Sequence, residues 1–418
     1  MRVVFFVSIL AGLLYACGAT TQNEFSGPRI GVWRAELDLT APDDPHKILL
    51  PFLFEVSNDS AGAPVVTIMN GTERITVHEI AVNGDSVRIR MPLYDSEFHC
   101  ALVGDSLLSG IWLNYLRGDG YIVPFSARAG LQPRFSDDHG PNVELTGEWK
   151  TRMYAGCCDS SMALGLFQQD GRILSGTFAT ETGDHRFLEG VVHGDSMWLS
   201  VFNGFQANLF AAEYRNDSLF GHSYWGKHGR DRWVANKDEH FTLRNADSLT
   251  FLKEGYDMVD LELHDLQGRP VSPQDSAHTG QVVIIQILGS WCPNCVDEAL
   301  LFRDLHTKYH DRGLRIIGVA FERHPTEDRS IAALRRFVDH LDLAYPVCYA
   351  GAAKKEVISQ KLPFLNHVMS FPTSITIDRT GKVRRIYTGF YGPGTGERYL
   401  AFKRDMERFL NELLNEPT

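Results

Sequence analysis

Two cysteines separated by two residues form the part of this sequence that is best suited to chemistry. They lie in the segment Gly289-Ser290-Trp291-Cys292-Pro293-Asn294-Cys295, which joins an apolar run to a helical pattern. Two thiols at this spacing can alternate between a dithiol and a disulfide, and the thiolate is the reactive form of cysteine. We therefore expect a redox pair, in which Cys292 attacks a disulfide and Cys295 resolves the mixed disulfide.

The elements on either side should place this pair at the start of a helix. The run from Val282 to Leu288 is short, β-branched and nearly all apolar, which is typical of a strand covered on both faces. From Cys292 to about Arg312 apolar residues recur at helical spacing, and Gly313 then ends the pattern. The partial positive charge of a helix N-terminus stabilises a thiolate, and Pro293 suits the first turn because its missing N–H leaves no bond unmade.

Two other interpretations of the pair are a structural zinc site and a static disulfide. A zinc site usually has a second Cys or His pair at ligand spacing, and none follows in this half of the chain. The 16 histidines are scattered without such a spacing. Redox chemistry is therefore the favoured interpretation, and neither a metal nor another cofactor is expected.

The N-terminus has the features of an export signal. Arg2 precedes an apolar stretch over residues 3–14, which is too short to span a membrane. The ending Leu14-Tyr15-Ala16-Cys17 resembles a bacterial lipobox, which implies cleavage before Cys17 and lipid on its sulfur and new amino group. Residues 1–16 would then be the signal peptide and residues 17–28 a polar tether. The alternative is an ordinary signal peptide with an incidental cysteine.

Length and charge limit the classes of protein that the chain can represent. A chain of 418 residues exceeds what one core usually organises, so two to four domains are expected. With 44% hydrophobic and 22% charged residues, the composition is that of an ordinary globular protein. The net charge of −11, without a basic stripe, argues against a nucleic-acid partner.

Four further cysteines have no assigned role: Cys100, Cys157, Cys158 and Cys348. They can form disulfides in three different pairings, and the sequence does not choose between them. A direct bond between the adjacent Cys157 and Cys158 would close a strained ring. Buried thiols are an equally good interpretation of all four.

Residues 29–247 are rich in alternating, strand-like segments and contain a degenerate internal repeat. Gly31-Val32-Trp33-Arg34 corresponds to Gly147-Glu148-Trp149-Lys150, and Gly84-Asp85-Ser86 corresponds to Gly194-Asp195-Ser196. Such turn residues between strands are typical of hairpins. We predict two tandem β-rich units, residues 29–142 and 143–247, each of them a small antiparallel barrel or sandwich.

The function of the two units does not follow from their sequence. A barrel of this kind can hold a ligand, and six tryptophans are candidates to line a pocket: Trp33, Trp112, Trp149, Trp198, Trp225 and Trp233. A position in the core is the more frequent role of such side chains. Docking onto a client protein, or onto the redox part of the chain, is favoured over a small-molecule pocket.

From about residue 248 strands and helices alternate along the sequence. A hairpin over residues 261–270 precedes the strand that leads to the dithiol. The other predicted elements are strands over residues 314–321, 345–348, 373–378 and 382–387 and helices over residues 328–340 and 397–414. Strands before and after helix crossovers predict an α/β fold, with a central mixed sheet and helices on both faces.

This half of the chain resembles the thioredoxin superfamily, and within it the membrane-attached TlpA/ResA-like thiol-disulfide oxidoreductases. The resemblance covers residues 248–418. It is carried by the strand, by the dithiol segment, by Glu298 and by Ser370-Phe371-Pro372-Thr373. It implies a thioredoxin-like fold with Cys292 as the nucleophile and Cys295 as the resolving thiol.

The same resemblance implies roles for five further residues. Pro372 would be a cis-proline beside the dithiol, and Phe371 would offer its backbone to a client strand. Trp291 and Pro293 would complete this client groove, and Glu298 would move protons for the second thiol. Plainer roles stay open, because Pro372 suits a strand entry, Glu298 suits the first turn of a helix and Trp291 suits packing.

The sequence also departs from the family pattern. Gln286 and Leu288 replace residues that are usually Asn, Phe or other aromatics, residues 350–369 form a long segment before the proline, and Cys348 is additional. None of these differences is expected to touch the catalytic residues.

We predict an exported, lipid-anchored thiol-disulfide oxidoreductase that reduces or isomerises client disulfides and faces the periplasm from the inner or the outer membrane. Its partners would be client proteins, the membrane through Cys17, and a membrane electron donor or acceptor. One alternative is a binding lipoprotein whose β-rich units capture a partner or a polymer. A second alternative is a thiol peroxidase, although Ser290-Trp291 precede Cys292 where a peroxidase usually has a threonine.

Overall fold

The computed structural model describes residues 27–118, 120–130, 133–135, 139–155 and 159–417. The predicted signal peptide, the predicted lipidation site Cys17 and the adjacent Cys157 and Cys158 lie outside these residues. Among the residues that are described, no helix is long and apolar enough to cross a membrane.

The first sheet contains nine antiparallel strands and curls into an incomplete ring. Its strands are β1 (Gly31–Asp38), β2 (Leu49–Asn58), β3 (Pro64–Asn70), β4 (Glu73–Val77), β5 (Ile80–Asn83), β6 (Ser86–Arg90), β7 (Ser96–Val103), β8 (Leu107–Asn114) and β9 (Ile122–Ala129). β1 pairs with both β2 and β9, and the strand order is β4-β3-β2-β1-β9-β8-β7-β6-β5. The two edge strands are therefore β4 and β5. Alternate residues of β1, namely Trp33, Ala35 and Leu37, face the buried interior, as a period of two predicts.

The second sheet follows the same path and closes. Its strands are β10 (Gly147–Ala155), β11 (Asp159–Asp170), β12 (Ile173–Thr180), β13 (Gly183–Asp184), β14 (Leu188–His193), β15 (Ser196–Phe202), β16 (Ala207–Arg215), β17 (Ser218–Trp225) and β18 (Gly229–Lys237). β10 pairs with β11 and β18, just as β1 pairs with its two neighbours. An additional pairing between β11 and β12 completes a ring of eight strands, with β13 attached to β12.

The internal repeat of the sequence is visible in the geometry of β1 and β10. Gly31 and Gly147 both have a positive φ, of 119° and 127°. Two residues later, an indole N–H donates to the carbonyl four residues before it, at 2.8 Å from Trp33 and 2.9 Å from Trp149. The repeated residues therefore occupy equivalent positions in two β-rich, barrel-like sheets.

The two β-rich sheets share part of their core. Phe202 of β15 is fully buried and stacks on Phe52 of β2, with ring centroids 4.5 Å apart. Asn70 donates its side-chain N–H to Phe202 O at 2.8 Å, and Ser200 Oγ donates to Pro51 O at 2.6 Å. The two sheets thus pack directly against each other through apolar and polar contacts.

Most of the tryptophans that were candidates to line a pocket are core residues instead. Four of them are at most 2% exposed, and these are Trp33, Trp112, Trp149 and Trp233. Trp198 is half-buried and Trp225 is 44% exposed. A pocket lined by all six is therefore excluded.

The remainder of the described chain forms an α/β structure around a five-stranded mixed sheet. Its elements are the hairpin β19 (Leu263–His264) and β20 (Pro270–Val271), then β21 (Val282–Leu288), α1 (Pro293–Tyr309), β22 (Leu314–Glu322), α2 (Glu327–Leu341), β23 (Val347–Ala352), α3 (Lys355–Lys361), β24 (Thr373–Ile377), β25 (Val383–Thr388) and α4 (Glu397–Asn415). The strand order is β23-β22-β21-β24-β25. β21, β22 and β23 are parallel, whereas β24 and β25 are antiparallel to their neighbours.

β21 is the central strand and is buried along its whole length because both of its faces are covered. Val282, Ile284 and Leu288 belong to an apolar cluster with side chains of α1, α2 and α4. The alternate positions 283, 285 and 287 face a second cluster, to which α3 and the β19–β20 hairpin contribute. This arrangement confirms the predicted α/β fold with helices on both faces of a mixed sheet.

The short helix α3 is an element that the sequence pattern did not predict. It has seven residues, of which Ile358 is buried. A single buried side chain gives no helical periodicity, so the sequence pattern before Pro372 did not indicate a helix.

We expect Phe202→Ala to lower the free energy of unfolding by about 3–5 kcal/mol, because it removes a fully buried ring that both β-rich sheets contact. Urea unfolding followed by tryptophan fluorescence measures this change. Phe220→Ala is the control and should cost less than about 1 kcal/mol, since Phe220 is 36% exposed. Equal effects of the two substitutions would contradict the shared core.

Candidate active site

The dithiol lies where β21 ends and α1 begins, and both cysteines are free thiols. Cys292 is the N-cap of α1, and its Sγ accepts a hydrogen bond from the backbone N–H of Cys295 at 3.2 Å. The Cys292 thiol in turn donates to Phe371 O at 3.3 Å. Pro293 occupies the first turn of the helix. A thiolate at Cys292 would therefore meet a backbone donor and the positive end of the helix dipole.

Cys295 lies further into the helix and has no exposed surface. Burial raises the pKa of its thiol well above the usual range, and Cys292 adds to this rise through a hydrogen bond and through its charge. The two sulfurs therefore have different chemical environments. Cys295 keeps its proton until a base removes it.

Glu298, which lies three residues after Cys295 on α1, belongs to a chain of hydrogen-bonded side chains in the core. Glu298 Oε2 accepts a hydrogen bond from Gln286 Nε2 at 2.9 Å, and the Tyr345 hydroxyl donates to Gln286 Oε1 at 3.2 Å. Burial raises the pKa of Glu298 to about 8, although hydrogen bonds from Gln286 and Ser374 act in the opposite direction. The charge of Glu298 also contributes to the raised pKa of Cys295. A carboxyl group with such a pKa can exchange a proton near neutral pH.

The residues just before the dithiol are held by the end of β22. Trp291 Nε1 donates to Phe321 O at 2.9 Å, and the guanidinium of Arg323 lies over the indole at 3.5 Å from the ring centroid. The buried carboxylate of Glu322 accepts hydrogen bonds from the N–H and the hydroxyl of Ser290, at 2.7 and 2.8 Å. These contacts fix the loop that presents the first cysteine.

The Phe371–Pro372 peptide bond is cis, as the resemblance implied. Gly389 N–H donates to Pro372 O at 2.8 Å, and the rings of Phe371 and Trp291 have centroids 5.3 Å apart. The fold thus brings this proline beside the dithiol, although many residues separate them in the sequence.

A segment of the second β-rich sheet, residues 182–186, lies over this site, and we call it the covering segment. Thr182 O accepts a hydrogen bond from Ser370 Oγ at 2.8 Å, directly before the cis peptide bond. Asp184 Oδ2 accepts one from the N–H of Gly392 at 2.6 Å. The covering segment therefore bonds to two loops that surround the dithiol.

Arg186, at the end of the covering segment, joins all three parts of the chain. Its Nη1 donates to Pro293 O at 2.8 Å and lies 2.7 Å from Asp297 Oδ2. Its Nε donates to Glu73 Oε1, in the first β-rich sheet, at 3.2 Å. All three charged groups are buried. Burial raises the pKa of Asp297 to about 7, because Arg186 offsets only part of the cost of desolvation.

Two aromatic residues of the β-rich sheets complete the closure of the site. The ring of Phe205 lies 6.3 Å from that of Trp291 and 5.7 Å from that of Tyr94. Tyr94 and Phe205 are both buried, and Cys292 and Cys295 are 5% and 0% exposed. The dithiol is therefore enclosed between the α/β part and the β-rich sheets.

A second charged contact joins the first β-rich sheet to the end of β22. His324 Nε2 lies 3.6 Å from Asp95 Oδ2, and its Nδ1 lies 3.5 Å from Glu322 Oε2. Burial would lower the pKa of His324, but the two carboxylates outweigh this effect and raise the pKa to about 9. His324 is therefore protonated at neutral pH and links the two parts electrostatically.

The structure brings together the residues that the sequence analysis assigned to the site, which are Trp291, Cys292, Pro293, Cys295, Glu298, Phe371 and Pro372. It does not leave the predicted client groove open. Sequence reasoning missed Arg186, Asp297 and Glu322. The expectation that Gln286 does not touch the catalytic residues is wrong, because Gln286 bonds to Glu298. A lone polar residue in a buried apolar strand was a usable signal for Gln286, whereas no local pattern indicates Arg186.

Cys100 and Cys348 are the other free thiols among the described residues, and both are buried. Burial raises the pKa of each to about 12, so that neither is reactive near neutral pH. In the described parts of the chain, no group of His, Cys, Asp and Glu side chains has the arrangement of a metal site.

The α/β part of the chain is similar to known proteins. Residues 255–386 match the model of the AhpC/TSA family. Thioredoxin-like protein YneN of Bacillus subtilis is 28% identical over 138 residues, which are 33% of this chain and 73% of YneN. Thiol-disulfide oxidoreductase ResA of Bacillus thuringiensis subsp. konkukian is 28% identical over 146 residues, which are 35% of this chain and 76% of ResA. A solved thiol:disulfide interchange protein of the thioredoxin family from Chlorobium tepidum is 19% identical with a TM-score of 0.30, and the match covers 39% of this chain and 99% of that one.

The dithiol at the start of α1, the mixed sheet and these similarities identify the α/β part as a thiol-disulfide oxidoreductase with a thioredoxin-like fold. Its similarity to ResA and YneN supports the resemblance of this part of the chain to the TlpA/ResA-like proteins of the thioredoxin superfamily. The two relatives correspond to about a third of the chain, so the β-rich sheets are additional to what these relatives share with it.

We expect Glu298 to make the free energy of unfolding of the reduced protein fall as the pH rises from 4.5 to about 8, and Glu298→Gln to remove this component. In that range the buried carboxyl keeps its proton while the unfolded chain loses it, so a rising pH favours unfolding. The slope from this one group is at most about 1.4 kcal/mol per pH unit.

Urea unfolding at a series of pH values, in the presence of a reductant, compares the two proteins. Glu412→Gln is the control, because Glu412 is an exposed residue of α4, and it should leave the pH dependence unchanged. Parallel curves for the wild type and Glu298→Gln would show that the pKa of the buried carboxyl is not raised.

Proposed function

We propose that the protein is an extracytoplasmic thiol-disulfide oxidoreductase that reduces or isomerises disulfides in client proteins. The observation that carries this proposal is the placement of the reduced dithiol. Cys292 caps α1 and bonds to the carbonyl next to Pro372, and the buried Cys295 lies within electrostatic reach of Glu298. One thiol is thus placed to attack and the other to resolve.

The proposed reduction proceeds in two exchanges. The Cys292 thiolate attacks one sulfur of a client disulfide, so that a mixed disulfide forms and the first client thiolate leaves and takes up a proton. The Cys295 thiolate then attacks Cys292 Sγ, which releases the second client sulfur as a thiol and closes the Cys292–Cys295 disulfide. Two electrons pass to the client, and an external dithiol must return two electrons before the next cycle.

We assign to Glu298 the transfer of the proton of Cys295. Because burial raises the pKa of Cys295, the second exchange requires a base. Glu298 is buried nearby, and a pKa of about 8 makes both of its protonation states accessible near neutral pH. The hydrogen bond from Gln286 fixes the orientation of the carboxylate.

We assign the client groove to Trp291, Pro293, Phe371 and Pro372. The carbonyl of Phe371 accepts a hydrogen bond from the Cys292 thiol, so a strand paired with this residue would lie beside the attacking sulfur. Trp291 packs on Phe371 and would form one wall of the groove. In the enclosed arrangement, the covering segment lies where such a strand would approach.

The proposed location is the cell envelope, with lipid on Cys17 as the anchor to the inner or the outer membrane. The apolar stretch over residues 3–14 and the lipobox-like ending support it. A membrane electron donor or acceptor would then be the partner that restores the redox state of the dithiol.

We expect Cys292→Ser to abolish the reduction of insulin, because the attacking thiol is lost. Cys295→Ser should instead accumulate a mixed disulfide with the client, since no thiol remains to resolve it. Non-reducing gel electrophoresis and mass spectrometry detect this adduct. Cys348→Ala is the matched control, which removes another buried thiol and should preserve turnover. If neither dithiol variant traps a client, the assigned roles are wrong.

The equilibrium potential of the dithiol, titrated in glutathione or dithiothreitol buffers, decides the direction of the reaction. A value near about −270 mV with insulin turnover indicates a reductase, and a value near about −120 mV indicates a donor of disulfides. We expect the former, because the resemblance of the sequence to the TlpA/ResA-like branch favours a reductase or isomerase over an oxidase. The absence of redox cycling would favour the binding lipoprotein, and faster turnover of hydrogen peroxide than of insulin would favour the thiol peroxidase.

A further inference from the structure

The chain covers its own dithiol, and the proposed reaction makes no use of the residues that cover it. We propose that the covering segment occupies the place of a client strand in the resting protein, and that Arg186 is the latch that holds it there. A client disulfide reaches Cys292 only when this segment is displaced. The proposal rests on the proposed function, because it describes the regulation of that same site.

The covering segment contacts the surfaces that a client strand requires. Ser370 Oγ donates to Thr182 O at 2.8 Å, immediately before the cis peptide bond. At the dithiol, Gly183 approaches Asn294 so closely that a Cβ atom on Gly183 would clash with Asn294 Nδ2. The groove is therefore filled from the cis-proline loop to the residues between the two cysteines.

A protein disulfide cannot reach Cys292 while these contacts persist. Attack requires a client sulfur in contact with Cys292 Sγ, together with the peptide that carries this sulfur. Cys292 is 5% exposed, and Tyr94 and Phe205 close the side of the site next to Trp291. Turnover on proteins therefore requires the β-rich sheets to move away from the dithiol.

Arg186 is suited to act as the latch because its contacts with Pro293 O and Asp297 join the covering segment to the start of α1. The guanidinium is buried among the carboxyl groups of Glu73 and Asp297 and donates to Pro293 O, between the cysteines. Removing one partner from a buried ion pair leaves uncompensated charge, which is strongly unfavourable. Loss of Arg186 should therefore destabilise the closed form at the dithiol itself.

The backbone of the covering segment is strained in the closed form. Arg186 has a φ of 59°, in the left-handed region that residues with a side chain seldom occupy. Such a conformation persists where the surrounding contacts enforce it. Displacement from the groove removes these contacts and allows the backbone to relax. This relaxation favours reversible displacement of the covering segment.

Two clefts lie between the α/β part and the β-rich sheets. One cleft of about 320 Å³ lies between the first β-rich sheet and α2, and Asp95 and Arg336 contribute to its walls. Another of about 640 Å³ lies between the second β-rich sheet and the start of α4, with Phe187 in its wall. The interface between the α/β part and the β-rich sheets is thus interrupted by open space on two sides, and the contact at the dithiol combines aromatic side chains with the ion pairs of Arg186.

The rate of alkylation of Cys292 measures how often the covering segment is displaced from the dithiol. The reduced, full-length protein is treated with iodoacetamide over a range of pH, and the peptide that carries Cys292 is quantified by mass spectrometry. Arg186→Asn removes the latch, and asparagine tolerates the left-handed backbone. Arg215→Asn is the matched control, because Arg215 is an exposed arginine of the same sheet that pairs with Glu213 of its own strand.

We expect the plateau rate of alkylation at high pH to be at least about tenfold higher in Arg186→Asn than in the wild type, and unchanged in the control. The plateau reports access to the sulfur, whereas the midpoint of the pH profile reports its acidity. A change in the midpoint alone, an unchanged plateau, or a wild-type plateau equal to that of the urea-unfolded chain would overturn the proposal.

Circular dichroism and thermal unfolding establish whether Arg186→Asn folds. If it does not fold, Phe205→Ala tests the cover from a different loop, and the absence of faster alkylation in that variant would overturn the proposal. Insulin reduction is measured on the same samples. Faster alkylation without insulin turnover supports the role of the covering segment and contradicts the proposed function. Insulin turnover with unchanged alkylation supports the proposed function and contradicts the role of the covering segment.

Discussion

A single buried guanidinium organises the point at which the three parts of the chain meet. Arg186 belongs to the second β-rich sheet, pairs with Glu73 of the first, and bonds to Asp297 and Pro293 O at the start of α1. A buried charge is costly unless it is paired and hydrogen-bonded, so each of these groups is stable in its position only while the others are present. The packing of the β-rich sheets around the dithiol depends on this cluster.

The α/β part contains the features that the dithiol needs for chemistry. The N-cap position provides Cys292 with a backbone donor, and burial raises the pKa of both Cys295 and Glu298. Burial disfavours the charged form of both Cys295 and Glu298. When Glu298 takes the proton of Cys295, only one of the two groups carries a charge, so the transfer costs less free energy than ionising either group alone. Gln286 belongs to this arrangement, because it holds the carboxylate from the central strand.

Local sequence patterns predicted the α/β part closely. β21 begins and ends at the predicted residues, and α1 begins directly after Cys292, because apolar runs and helix signals act over short distances. Turn residues and a repeated tryptophan likewise indicated two β-rich units. The contacts of Arg186 were not predictable, since Pro293 and Glu73 lie 107 and 113 residues away in the sequence. The helix α3 was missed because one buried residue, Ile358, defines no period.

The covering segment and the groove that it fills belong to one polypeptide, and the chain between β18 and β19 connects them. Their association is therefore intramolecular, with an effective concentration on the order of millimolar for a short linker. A free client at a much lower concentration competes poorly against a tethered segment. Clients that also bind elsewhere on the protein, and so raise their own local concentration, can replace it. Selection among clients would then depend on competition within the chain as much as on the shape of the groove.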